Sequence, residues 1–123
     1  MRLNDFGLLT GRIGNVSDVR KMRNGDDVMN FTVFKYVGKD KDGNQYPDEC
    51  YTINVYGKEN CSFVSKNLKK GNKYTIAYHL SQTKMATVGT DGNQYDTPFI
   101  VLVYDQMELQ SISAGNSTKP VNQ

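Results

Sequence analysis

Five short runs of Val, Ile, Thr, Tyr and Phe, divided by Gly, Asn and Asp, limit what this chain can become more than any other feature. They cover about Leu3 to Ile13, Val28 to Val37, Tyr51 to Tyr56, Lys73 to Leu80 and Tyr95 to Tyr104. β-Branched and aromatic residues suit a pleated, half-buried surface, and their spacing between turn residues predicts an all-β domain. Asn24-Gly25, Asp42-Gly43 and Asp91-Gly92 mark the turns, because glycine accepts the positive φ of a tight hairpin. The pentapeptide DGNQY occurs at Asp42 to Tyr46 and again at Asp91 to Tyr95, with unmatched flanks. Either two hairpins use the same turn chemistry, or each turn offers a tyrosine, Tyr46 or Tyr95, to a ligand.

One segment breaks the two-residue period. From Lys58 to Lys70 the apolar residues Cys61, Phe63, Val64 and Leu68 fall close to one helical face. Lys69 and Lys70 would occupy the last turn, where they suit the helix dipole, and Gly71 would stop it. A single helix between the third and fourth of five strands predicts a five-stranded OB-fold barrel with long β-hairpin loops. A chain of 123 residues holds one such domain, with a core that needs no disulfide or metal. The domain is expected over residues 1–110. Residues 111–123 carry little apolar surface and are expected to form a disordered C-terminal tail.

Several classes of function are disfavoured. A net charge of +2 does not by itself announce nucleic acid, although many acids sit in turns and leave the Lys and Arg elsewhere less neutralised. Cys50, Cys61 and the single His79 do not make a zinc set, and no cofactor or metal is expected. Neither an export signal nor a membrane span is apparent, which predicts a cytoplasmic protein with free thiols and four sequons without meaning. The chain has no phosphate loop, HExxH or GxSxG. His79 is expected at the surface, and the acid pairs Asp26-Asp27 and Asp48-Glu49 in solvated loops. No catalytic set emerges, so no enzyme is expected.

Strand parity does produce a binding face. In YTINVY, Tyr51, Ile53 and Val55 form the natural core set, while Cys50, Thr52, Asn54 and Tyr56 share the other side. In VMNFTVFKYV, Met29, Phe31 and Val33 oppose Asn30, Thr32, Phe34 and Tyr36. An aromatic ring on a polar face is a platform for a base, and stacking contributes about 1–3 kcal/mol per base. The alternative is that these rings lie at a subunit interface or under a loop. Arg12, Lys35, Lys39, Lys58, Lys70 and Lys84 surround the face and suit phosphate contacts. Arg20, Lys21, Arg23, Lys41 and Lys69 add further positive charge nearby.

These segments resemble the bacterial and phage single-stranded DNA-binding proteins from about Asn4 to Gln110. LLTGRIGNVSDVRKMRNGDDVMNFTV is similar to that family's first hairpin, and YTINVYGKENCSFVSKNLKKGNKYTI to its strand, Gly-Lys, helix and turn. The resemblance implies non-catalytic, sequence-independent coating of single strands during replication, recombination and repair. It also implies a homo-oligomer, most often a tetramer with a dimer as the alternative, and contacts with replication or recombination proteins. It places Tyr56 at a base-stacking position and Lys58, Lys70 and Lys84 at basic positions. Cys50 and Met85 stand where the family commonly carries stacking tryptophans, and this chain has none. Met85 can still lie against a base, and Tyr36, Tyr46 and Tyr95 are candidates to compensate. No acidic residue follows Glu108, unlike the acidic tail tip of cellular members, which points to a phage-encoded version. A protein-interaction module, such as a primosome-like accessory subunit, is the alternative on the same barrel. An OB-fold nuclease would need clustered carboxylates for a metal.

Overall fold

Where the strands form the barrel, burial divides them into an inner and an outer side. In β3 (Asp27–Lys35) Met29, Phe31 and Val33 are fully buried, and in β4 (Glu49–Tyr56) so are Ile53 and Val55. Leu9 and Ile13 of β1 (Phe6–Val16), Tyr74 and Ile76 of β5 (Lys73–Val88), and Tyr104 of β6 (Gln94–Ser111) complete the inner set. The computed structural model describes residues 6–113 of the chain. Tyr51, expected in the core, is only partly buried and donates its hydroxyl to Glu49.

The inner sides meet because the sheet closes. β1 pairs antiparallel with both β3 and β5, β3 with β4, and β5 with β6, while β4 and β6 join in parallel at Ile53–Leu102 and Asn54–Val103. The result is the predicted five-stranded OB-fold barrel, with a two-residue strand β2 (Arg20–Lys21) added beside β3. β1 passes from β5 to β3 at Arg12, and a register shift between Ile13 and Val16 then bends it along β3.

Helix α1 (Lys58–Asn67) lies between β4 and β5 and packs on β3 and β4. Its Cys61 and Val64 and the following Leu68 enter the core, each large aliphatic side chain contributing about 1.5–3 kcal/mol of burial. Burial, reinforced by the charge of Asp27, pushes the Cys61 thiol up, so it stays protonated and donates to the Val55 carbonyl. The helix is shorter than expected. The Tyr74 hydroxyl donates to the Asn67 carbonyl and accepts from the Lys69 N–H, and Leu68 is extended, so Lys69 and Lys70 lie beyond the last turn. Phe63, assigned to the apolar face, is half exposed.

The three hairpin tips share one construction. Gly25, Gly43 and Gly92 donate N–H to Met22, Asp40 and Gly89, and those three residues in turn donate to Asp26, Asn44 and Asn93. Each glycine has positive φ and no other residue type does among the described residues. This is a three-residue hairpin with a glycine bulge, not the two-residue turn that Asn-Gly alone suggests. The duplicated DGNQY is therefore a reused turn in backbone terms.

β5 and β6 extend well past the expected ends. Beyond Gln82–Ile100 they pair only with each other, forming an arm with nearly every side chain exposed. With neither face buried, no alternation marked its length. Lys84 and Met85 thus lie within a strand and not after one. β6 runs to Ser111, one residue past the expected boundary, and the tail assignment from 114 onward lies outside the described residues. Replacing Phe31 by Ala in the closed core is expected to cost about 3–5 kcal/mol in a urea melt.

Candidate nucleic-acid interface

The outer side of β3 and β4 carries paired polar residues. Asn30 faces Asn54, Thr32 faces Thr52, and Phe34 faces Cys50 across the strands. Tyr56 stands opposite Val28 at the far end, partly covered. The six residue steps from Cys50 to Tyr56 place these two ends about 20 Å apart.

Phe34 is the best-supported ring. It is 43% exposed, yet its position is set by β1. A Cβ on Gly14 would come within 2.4 Å of the Phe34 ring and 2.5 Å of the Thr32 hydroxyl. Gly14 therefore forms a floor on which the ring rests. Thr32 is held in turn by the Asn15 N–H at 2.8 Å. The ring is presented outward without side-chain freedom underneath.

This ring lines one of two grooves that share Lys35. One, of about 580 Å³, brings together Arg12, Phe34, Lys35, Tyr36, Lys73 and Asp48. The other, of about 610 Å³, runs between Cys50, Thr52 and Asn54 of β4 and Phe99 and Ile100 of β6, with Lys35 at its rim. Lys35 thus borders both. Cys50 is an exposed free thiol.

The other predicted residues are dispersed. Lys39 and Tyr46 belong to the β3–β4 hairpin, where Lys39 bridges to Gln45 and the Tyr46 N–H donates to Gly38. Lys58 opens α1, and Lys70 lies in the turn before β5. On the arm, Thr97 faces Met85 and Tyr95 faces Thr87, so Met85, Tyr95 and Phe99 share one side and Lys84 lies on the other. Tyr95 is bound into its own turn by donating to Asp91. Phe99 and Lys73 were not among the predicted site residues. Parity with Tyr95 pointed to Phe99, whereas the register that places Lys73 beside Arg12 has no local signal.

Electrostatics add a local detail. The Tyr95 hydroxyl, followed by the Asn93 N–H, holds the Asp91 carboxylate below the usual range. His79 is not a bare surface residue: its Nδ1 lies 2.9 Å from Asp105, and both are mostly covered. Among the described residues no group of His, Cys, Asp or Glu could hold a metal ion.

A closed five-stranded barrel with a polar-aromatic outer wall and bordering cations defines an OB-fold of the nucleic-acid-binding type. Residues 4–109 match the single-strand binding protein family, and the chain belongs to that family. No curated protein matches the sequence. Among solved structures, the chain is similar to the SSB of Plasmodium falciparum in complex with ssDNA, at 22% identity and a TM-score of 0.59. The match covers 89% of this chain and 95% of that one, and it establishes the fold.

Two outcomes follow from this geometry. Gly14→Ala is expected to destabilise the protein by about 1–3 kcal/mol through overpacking, and less in a Phe34→Ala background, where only the clash with Thr32 remains. Denaturation of the two single variants and the double variant measures the coupling. Because the folded pKa of Asp91 is depressed, its contribution is present above the unfolded carboxylate range and is lost as pH falls through the folded value, below about pH 4. In Tyr95→Phe, an NMR titration should show Asp91 protonating at higher pH than in the parent protein.

Proposed function

We propose that this protein binds and protects single-stranded DNA without sequence preference and without catalysis, in replication, recombination and repair. The observation that carries this reading is the outward Phe34 ring, seated on Gly14 between Arg12, Lys35 and Tyr36 in one groove. A ring stacks on any base, and the cations follow the phosphates. Family membership supports the same ligand. Phe34 and Tyr36 stack bases at one end of the wall and Tyr56 at the other, with Met85, Tyr95 and Phe99 on the arm. Tyr46 on the β3–β4 hairpin is a peripheral stacking contact. Arg12, Lys35, Lys39, Lys58, Lys70 and Lys84 supply phosphate contacts. Phe34 lies directly across from Cys50, so the ring that replaces a family tryptophan comes from the neighbouring strand.

The protein works as a homo-oligomer, a tetramer by family analogy. Support comes from a depression on the outer side of β1, β5 and β6, where Phe6, Leu8 and Ala77 gather beside Thr75, Gln106 and Glu108 and Leu8 is 63% exposed. A second copy would cover it through a self-complementary contact. Among the described residues no helix is long and apolar enough to cross a membrane. The proposed location is the cytoplasm, with DNA and its processing proteins as partners.

Titration with oligo-dT and with duplex of equal length, followed by fluorescence and light scattering, tests this reading. Preference for oligo-dT is expected, with affinity falling at a slope of about −0.7 per neutralised phosphate against log salt. Equal affinity for both would sink the reading. Tyr56→Ala should weaken oligo-dT binding by about 1–3 kcal/mol while leaving Tm nearly unchanged.

A further inference from the structure

One row of residues crosses the strands on the outside of the barrel. Cys50 of β4 faces Phe34 of β3, Phe34 faces Arg12 of β1, and Arg12 faces Lys73 of β5. All four are exposed. Their outward direction follows from parity, because Val33, Ile13 and Tyr74, the sequence neighbours of Phe34, Arg12 and Lys73, are buried.

Arg12 and Lys73 are like charges directly opposite each other on adjacent strands. Such a pair destabilises a sheet unless something negative lies between them. Among the described residues neither makes an ion pair. Arg12 donates Nη1 to the Gly71 carbonyl at 3.0 Å, which fixes one arm of the guanidinium and leaves its other donors open. The groove they line holds three cations, Arg12, Lys35 and Lys73, against one carboxylate, Asp48, which accepts from Gln45. Strands lie about 4.8 Å apart, so Lys73 is about 10 Å from Phe34 along the barrel wall.

We propose that Arg12 and Lys73 form a phosphate subsite that carries a single-stranded DNA backbone off the β3–β4 face and across the β1–β5 seam. The inference rests on the single-strand binding described above and extends the path to a strand outside the aromatic wall. The base next to the subsite stacks on Phe34, and its phosphate lies between the two cations. Lys73 is the added contact. It needs no partner in the free protein, which accounts for a like-charge pair at that register.

The test compares oligo-dT binding by the full chain and its Lys73→Gln, Lys73→Arg and Lys66→Gln variants over a range of salt. Lys66 lies in the last turn of α1 and serves as a charge control. Lys73→Gln should weaken binding and reduce the magnitude of the salt slope by about 0.7, the loss of one phosphate contact. Its Tm should stay the same or rise, because the like-charge contact is gone. Lys73→Arg should keep the parent slope, and Lys66→Gln should change neither slope nor affinity. Inorganic phosphate at the same ionic strength should compete no better than chloride, since the backbone is held by several contacts. If Lys73→Gln binds with the parent slope and affinity, or if Lys66→Gln loses as much as it does, the subsite is overturned. If the parent protein itself fails to prefer oligo-dT, the single-strand binding reading fails first and takes the subsite with it.

Discussion

Strand β1 is hydrogen-bonded along both edges, to β5 over Phe6–Arg12 and to β3 over Arg12–Val16. That double pairing removes the open edges a sheet would otherwise expose and forces the inner side chains of five strands into one core. Arg12 is the residue at which β1 passes from one neighbour to the other. The same point brings Phe34, Arg12 and Lys73 into a line, so closure of the barrel and construction of its outer wall are one event. Tyr74 secures the arrangement from beneath, tying the end of α1 to the start of β5.

In the proposed single-strand binding, the outer wall gives a tryptophan-free chain its stacking surface. Cys50 occupies a small position on β4, and the ring appears across the ladder as Phe34. A phenyl ring on an exposed strand ordinarily has several rotamers to choose among. Here Gly14 lets it settle against β1, and the Asn15 N–H holds Thr32 beside it. Ordering the ring before a ligand arrives removes part of the entropy cost of stacking. The long β5–β6 arm behaves differently. It is held by backbone pairing and a glycine-bulge tip, with little buried surface to define its direction.

The inner and outer sides of β3 and β4 were legible because alternation of Met29, Phe31, Val33, Ile53 and Val55 needs only a two-residue period. The helix was legible for the same reason, through Cys61, Val64 and Leu68. Its end was not, because a hydroxyl from Tyr74, seven residues after Asn67, competes for the last carbonyl. The arm escaped notice because SQTKMATV has no buried face to impose a pattern. Phe63 looked like core by helical spacing and is half exposed, since α1 meets the barrel on a narrow stripe that buries Cys61 and Val64 alone.

By itself the sequence determined the class of fold, the order of its strands and helix, the polar-aromatic character of the β3–β4 wall and the positions of its turns. These depend on local periodicity and on glycine's freedom at positive φ. Only the tertiary structure decided which residues became neighbours across strands. Register set Phe34 opposite both Cys50 and Arg12, and Arg12 opposite Lys73, positions up to 61 residues apart in sequence. A one-residue slip would turn each of these side chains to the other face, so the pairing depends on the whole closed core and not on any short segment.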